Sequence, residues 1–167
     1  MKHSLNSVFK TLTTTKDADL FCLGLEKVIS RQYTRYTSLE KALNDSLPYD
    51  QAEAVLDYCR QSEIDTEDVK TAEAELSSLQ AKIRRLPVVS LGVAFEPRAD
   101  FLAEVSESIT RYFGKKVLLE MEVKPELIGG AVIEFAGRRR DFSLKTWFLD
   151  FSKQVNDKTY AFSGSTP

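Results

Sequence analysis

Histidine occurs once in the 167 residues, at position 3. A histidine-based catalytic triad, a histidine metal centre and a cysteine–histidine pair therefore lack their raw material. Cysteine occurs twice, at Cys22 and Cys59, each inside a helical pattern. Two thiols so placed give no zinc spacing and no disulfide scaffold; they read as buried, reduced side chains of a cytosolic protein. The 7 glycines and 5 prolines are too few for a collagen-like or linker-dominated chain. No glycines compose a G-x-G-x-x-G turn or a phosphate-binding loop, so neither a cofactor nor a metal is expected. No apolar run approaches the ~20 residues that span a bilayer, and Met1–Asn6 contain no signal-like hydrophobic stretch. A transit peptide is also disfavoured, since Asp17 and Asp19 come early and no arginine precedes Arg31.

A dominant charge of either sign is missing as well. The 23 basic and 25 acidic residues leave a net charge of -2. Before Pro87 there are 12 basic and 14 acidic residues, and from Pro87 onward 11 of each. Neither half carries a field that would recruit nucleic acid or an acidic partner by charge alone. Glu120 and Glu122 lie on one strand face, but alternating polar residues on a half-exposed strand read so without any acid–base role. No catalytic residue is expected.

What is present is an ordinary globular composition, 43% apolar and 29% charged. A chain of this length buries roughly 70% of its extended surface, enough for a core without staples. The first half is helical in pattern. Leu5, Val8, Phe9 and Leu12 share one helix face, and Thr13-Thr14-Thr15 interrupts it. Leu25, Ile29, Tyr36, Leu39 and Leu43 read as one long stripe ending before Asn44, ahead of Pro48. Ala52, Val55, Leu56 and Cys59 mark a third helix. A fourth begins behind Asp65-Thr66-Glu67-Asp68 and carries Val69, Ala72, Leu76, Leu79, Ile83 and Leu86 on one face. Its acidic start, its Lys82, Arg84 and Arg85 finish, and Pro87 all suit the helix dipole and a stop.

At Pro87 the period changes from 3.6 to 2. Val89, Leu91, Val93 and Phe95 alternate with smaller residues, and Val117, Leu119, Met121 and Val123 alternate along a second strand. Between them, Phe101, Val105, Ile109 and Phe113 form a helix stripe closed by Gly114. Residues 131–135 form a third strand. Gly129-Gly130 is a backbone constraint, and its short connection suggests an antiparallel hairpin with the preceding strand. Ala136-Gly137-Arg138 reads as a tight turn, Arg139 and Arg140 as the start of a short fourth strand, and Phe142 as a core residue. Ser143 caps a last helix with Leu144, Trp147, Phe148, Phe151 and Val155 on its apolar face. Both helix stripes of this half are expected to pack into its core.

The fold class is thus α+β: an N-terminal helical bundle followed by a small β-α-β-β-α domain with a mixed sheet. The boundaries read as 1–86 for the helical domain, 87–157 for the α/β domain and 158–167 for a loose tail. Arg138, Arg139 and Arg140 are the one basic cluster, and they are candidate partner contacts at a hairpin tip.

Pro125-Glu126-Leu127-Ile128-Gly129-Gly130-Ala131-Val132-Ile133, followed by Asp141-Phe142-Ser143-Leu144, resembles the signature of the F-type ATP synthase delta subunit, or oligomycin-sensitivity-conferring protein, family. The motif residues are Pro125, Leu127, Ile128, Gly129, Gly130, Asp141 and Ser143, and the resemblance covers about residues 87–155. Phe142 stands where the family has the glycine of Asp-Gly-Ser. The last helix is more aromatic than the family's, and residues 1–86 are shorter than its N-terminal bundle and lack its Tyr-Ala-x-Ala-Leu opening. The resemblance implies a non-catalytic peripheral-stalk subunit, part of the stator for proton-driven ATP synthesis. It implies as partners the α/β catalytic head, whose N-terminal helical segments the bundle would cradle, and the stalk b subunits, received by the α/β half. It also implies no nucleic acid, and membrane association only through the complex, at the cytoplasmic face of a bacterial plasma membrane. The alternative is a free-standing adaptor or RNA-associated α+β module with Arg138, Arg139 and Arg140 as its contact.

Overall fold

The computed structural model describes residues 4–32 and 38–152. The chain divides into two compact units. One takes the chain up to Val88 together with Ala103–Leu119, the other Val89–Leu102 together with the chain from Glu120. His3, Tyr36, Val155 and the expected tail of 158–167 lie outside the described residues.

The first unit is built on α1 (Ser4–Lys10), α2 (Thr15–Gln32), α3 (Leu39–Ser46), α4 (Tyr49–Gln61) and α5 (Val69–Arg84). The start of α2 is locally encoded. Asp17 Oδ2 accepts the N–H groups of Thr13 and Thr14, and the Thr14 hydroxyl accepts the N–H of Asp17. This reciprocal arrangement satisfies N–H groups that a helix start leaves free. Asp68 does the same for α5, accepting from the Lys70 N–H and the Thr71 hydroxyl. Apolar positions recurring at 3 and 4 then place Val8, Leu12, Phe21, Leu25, Val28, Leu43, Val55, Leu76, Leu79 and Ile83 in one core.

Two expectations change here. The long stripe from Leu25 to Leu43 is not one helix: α3 starts afresh at Ser38, whose backbone is extended and whose side chain accepts the Lys41 N–H. A serine hydroxyl competes for backbone donors, and so it begins a helix more readily than it continues one. The stop also falls later than Asn44. Leu47, the residue before Pro48, is the first to leave the helical region, with φ -126° and ψ 154°. Gly24 lets α2 approach this end, since a Cβ there would strike Leu47 Cδ2 and lie 3.0 Å from the Ser46 carbonyl oxygen.

The sheet comprises β1 (Val88–Val93), β2 (Leu118–Val123), β3 (Ala131–Phe135) and β4 (Arg138–Asp141), in the order β2-β1-β3-β4. α6 (Ala99–Phe113) is the crossover between β1 and β2. Leu118 donates to the Pro87 carbonyl and Lys124 to that of Val93, so these two strands run parallel. β3 is antiparallel to β1, with Leu91 opposite Ile133, and β4 is antiparallel to β3, with Ile133 opposite Arg140. The sheet is mixed, as expected, but its antiparallel pairs are β1–β3 and β3–β4.

The expected hairpin of β2 with β3 does not form. β1 buries Val89, Leu91, Gly92 and Val93, and a strand buried on both faces belongs in the sheet interior with a neighbour on each side. The connection 124–130, tightened by the 3₁₀ turn Pro125–Leu127, carries the chain past β1 to its free edge. The β3–β4 turn is the tight one foreseen, with φ +50° at Ala136 and +73° at Gly137, the pattern that matches strand twist.

The helix stripes of the second half are also less buried than predicted. On α6, Phe101 is exposed, and Val105, Ile109 and Phe113 are only half-buried. The last helix, α7, is described over residues 144–152, and Leu144, Trp147, Phe148 and Phe151 are all exposed, as is Phe142. Among the described residues, the buried apolar side chains of the second unit are Val89, Leu91, Val93, Leu127 and Val132, a small set drawn from the strands and the 3₁₀ turn.

Candidate functional site

Two segments distant in sequence meet in the second unit. Pro125 opens the 3₁₀ turn, Leu127 is buried, and Ile128 donates to the Pro125 carbonyl with a left-handed φ of +65°. Gly129 follows, and its carbonyl accepts the N–H of Leu144 at 3.0 Å. A Cβ at Gly129 would lie 2.7 Å from Leu144 Cδ1. Gly130 has φ +75°, and a Cβ there would strike the Phe142 carbonyl oxygen. Ala131 accepts the N–H of Phe142 at 2.8 Å. The glycine pair is thus one half of a clasp, and residues 142–144 are the other.

Asp141 and Ser143 complete it. Asp141 Oδ1 accepts the Ser143 N–H at 2.8 Å, and Ser143 Oγ accepts the Thr146 N–H at 3.3 Å. Hydrogen bonds from the Ser143 hydroxyl and then its backbone N–H hold the Asp141 carboxyl below its ordinary range. Ser143 is buried, and its carbonyl accepts the Trp147 N–H in the first turn of α7. The two segments thus hold one another, and the Ser143 cap stands at the first turn of α7.

What α7 carries is an exposed apolar face. Leu144, Trp147, Phe148 and Phe151 follow helical spacing, with Trp147 57% exposed and Phe151 52%. The Trp147 and Phe151 rings stack at 5.6 Å with 10° between planes, and Phe148 meets Trp147 edge-on at 5.2 Å. Grouped aromatics left in water are a characteristic of binding surfaces rather than of a folded interior. The apolar period was legible in the sequence; that nothing in the described chain covers it was not.

The three arginines occupy β4, an edge strand, and all are exposed. Side chains alternate along a strand, so Arg138 and Arg140 share one face and Arg139 takes the other. Arg139 is opposite Glu134 in register and approaches Asp141 at 4.0 Å. The fold separates the basic cluster instead of concentrating it.

The remaining reactive groups are quiet. Cys22 and Cys59 are buried. Desolvation, with Glu75 adding, pushes the Cys59 thiol up to about 11, away from the thiolate a nucleophile needs. Glu120 accepts from the Ser90 hydroxyl at 2.8 Å, and Glu122 pairs with Lys124 at 2.7 Å. Among the described residues no His, Cys, Asp and Glu cluster is placed to hold a metal ion.

Comparison with known proteins gives a consistent set of matches. A family model described as the ATP synthase delta (OSCP) subunit matches residues 66–155. The match starts in the acidic turn before α5, ahead of the Pro87 boundary. The ATP synthase subunit delta of Frankia casuarinae is 29% identical over 82 residues, 49% of this chain and 30% of that protein. That of Citrifermentans bemidjiense is 38% identical over 60 residues, 36% of this chain and 32% of that protein. The matched stretches thus span about a third or less of these relatives' length. A chain of the Polytomella F-ATP synthase, seen by cryo-electron microscopy, aligns with 46% of this chain and 99% of its own at 24% identity and a TM-score of 0.40.

Proposed function

The chain belongs to the ATP synthase delta (OSCP) subunit family, and we propose that it is the non-catalytic peripheral-stalk subunit of an F-type ATP synthase. In this role it joins the α/β catalytic head to the stalk b subunits and holds the head against rotation. The observation that carries the reading is the family match over 66–155, which encloses both halves of the clasp and the aromatic helix it positions.

The division of labour follows the change of sequence pattern at Pro87, with Ala103–Leu119 packing on the first unit. Residues 1–86 receive the head, and 87–157 receive the stalk. Pro125, Leu127, Ile128, Gly129, Gly130, Asp141 and Ser143 act structurally, by setting the direction of α7. Its Leu144, Trp147, Phe148 and Phe151 face suits the apolar stripe of a partner helix, with anchors at i, i+3, i+4 and i+7. Arg138, Arg139 and Arg140 lie at the rim, where charge tunes encounter more than affinity. The protein reaches the cytoplasmic face of a bacterial membrane only through the complex; among the described residues no helix is long and apolar enough to cross one.

The test is binding of the whole chain to isolated catalytic head and to a soluble stalk b dimer from the same organism. Both should bind, with weak salt dependence, because apolar packing releases few counter-ions. Replacing both Trp147 and Phe151 by Ala should weaken stalk binding by about 100-fold or more, since two buried aromatic anchors carry about 2 kcal/mol each, and should leave head binding intact. Failure to bind either partner refutes the proposal. Salt-sensitive binding of RNA in their place would establish the adaptor reading.

A further inference from the structure

Within the first unit, α6 and α1 border an open hollow of about 510 Å³. The residues of α6 that line it are not those of its apolar stripe. They include Ser106 and Thr110, one turn apart, and the wall continues through Lys115 and Lys116; α1 contributes Phe9 and Lys10. Ser106 is 2% exposed and is the one fully buried residue of α6, on a helix whose Val105 and Ile109 are only half-buried. The side of α6 turned to this hollow is therefore its hydroxyl-bearing side and not its apolar stripe.

The hydrogen bonds leave donors in excess. Lys116 Nζ donates to Ser106 Oγ at 3.3 Å, which uses the serine as acceptor and leaves its own proton to give. Thr110 Oγ1 is buried and has no partner. An ammonium group has three protons, so Lys116 has more to offer. Its burial pushes its pKa down, opposed by the nearby Asp17 carboxylate. The one carboxylate in the wall, Glu107, is engaged by Arg111 at 3.3 Å, and its side chain is 74% exposed. Lys10 and Lys115 add positive charge at the opening.

The nearby carboxylates are already engaged, Asp17 by the Thr13 and Thr14 N–H groups and Glu107 by Arg111, so the hydroxyl and ammonium donors that converge here match a group with several anionic oxygens. The volume lies in the range of small-molecule sites and exceeds what one inorganic anion fills, and Phe9 offers an apolar wall. We propose that this hollow binds a phosphate-class oxyanion, free or carried on a small organic body, with Lys116, Ser106 and Thr110 as its innermost donors. The inference stands apart from the stalk reading and survives that reading's failure.

The test is a nuclear magnetic resonance titration of the full-length, ¹⁵N-labelled chain with inorganic phosphate and, separately, with AMP. Each is compared with chloride at matched ionic strength. Saturable shifts are expected in the amides of residues 106–116. Lys116→Met should weaken binding by about tenfold and Thr110→Val by about threefold, while Lys70→Met, on the exposed start of α5, should not change it. AMP binding well above phosphate assigns the organic source, and equal affinities assign the free ion. Shifts that do not saturate, shifts that chloride reproduces, or unchanged affinity in Lys116→Met overturn the proposal. Should Lys116→Met fail to fold, Thr110→Val, which keeps the side-chain shape, decides alone: wild-type affinity overturns it.

Discussion

Substituting Gly130 by alanine tests the clasp, and its cost can be worked from the structure. Gly130 has φ +75°, a region where an L side chain costs about 1 kcal/mol. The added Cβ would also strike the Phe142 carbonyl oxygen and stand 3.1 Å from both Phe142 C and Ser143 Cα. These are backbone atoms, so the chain at 142–143 must move. That movement strains the Phe142 N–H bond to Ala131 and the Ser143 N–H bond to Asp141, both 2.8 Å. Each such bond contributes about 1 kcal/mol net, for a total near 3 kcal/mol. Gly137 is the control: its φ is +73°, yet nothing lies within 4 Å of a Cβ there. Gly137→Ala should cost only the conformational part, about 1 kcal/mol. Trp147 is the single tryptophan and lies in α7, so its fluorescence follows this unit through urea unfolding. With a denaturant slope of about 2 kcal/mol per M, the Gly130→Ala midpoint should fall roughly 1 M below that of Gly137→Ala. Equal midpoints would refute the close approach as the reason for glycine at 130. Gly130→Val should be worse still, because β-branching adds to the same collision.

Three further outcomes are expected. The Asp141 carboxyl is lowered in the folded state, so its contribution is present above its ordinary value of 3.8 and is lost as pH falls through the lower folded value; Asp141→Asn should remove that component of acid unfolding, seen as a flatter stability profile below about pH 4. Trp147→Ala and Phe151→Ala should each leave the unfolding free energy within about 0.5 kcal/mol of wild type, because both rings are more than half exposed; a loss of several kcal/mol would show that α7 is core and not a docking face. Cys59 should resist a thiol reagent at pH 8 until the chain unfolds, since burial and a thiol pKa near 11 deny both access and thiolate; labelling at the rate of a free cysteine would contradict the packing of α4.

Much of the clasp was readable before any coordinates, because each half is a short-range signal. A Gly pair after Pro125 marks an unusual backbone, and Ser143 behind Asp141 marks a helix start. That Gly129 and Gly130 touch Leu144 and Phe142 was not readable, since nothing local links the two segments. The same holds for the hollow beside α6. Ser106 and Thr110 sit in an ordinary amphipathic period, and only the placement of α1 makes them lining residues.

The sequence alone determined the local elements: α5 between Asp68 and Pro87, the period change at Pro87, the Ala136-Gly137 turn, and the Ser143 cap. In each case the deciding hydrogen bond or steric clash lies within a few residues, so no distant part of the chain needs to be known. The tertiary structure decided the rest. It paired β3 with β1 instead of β2, set α1 beside the Ser106 side of α6, and left the α7 aromatics in water. These are competitions between surfaces far apart in sequence, where the winner depends on which strand is most in need of a second neighbour and on which apolar face the rest of the chain is large enough to cover.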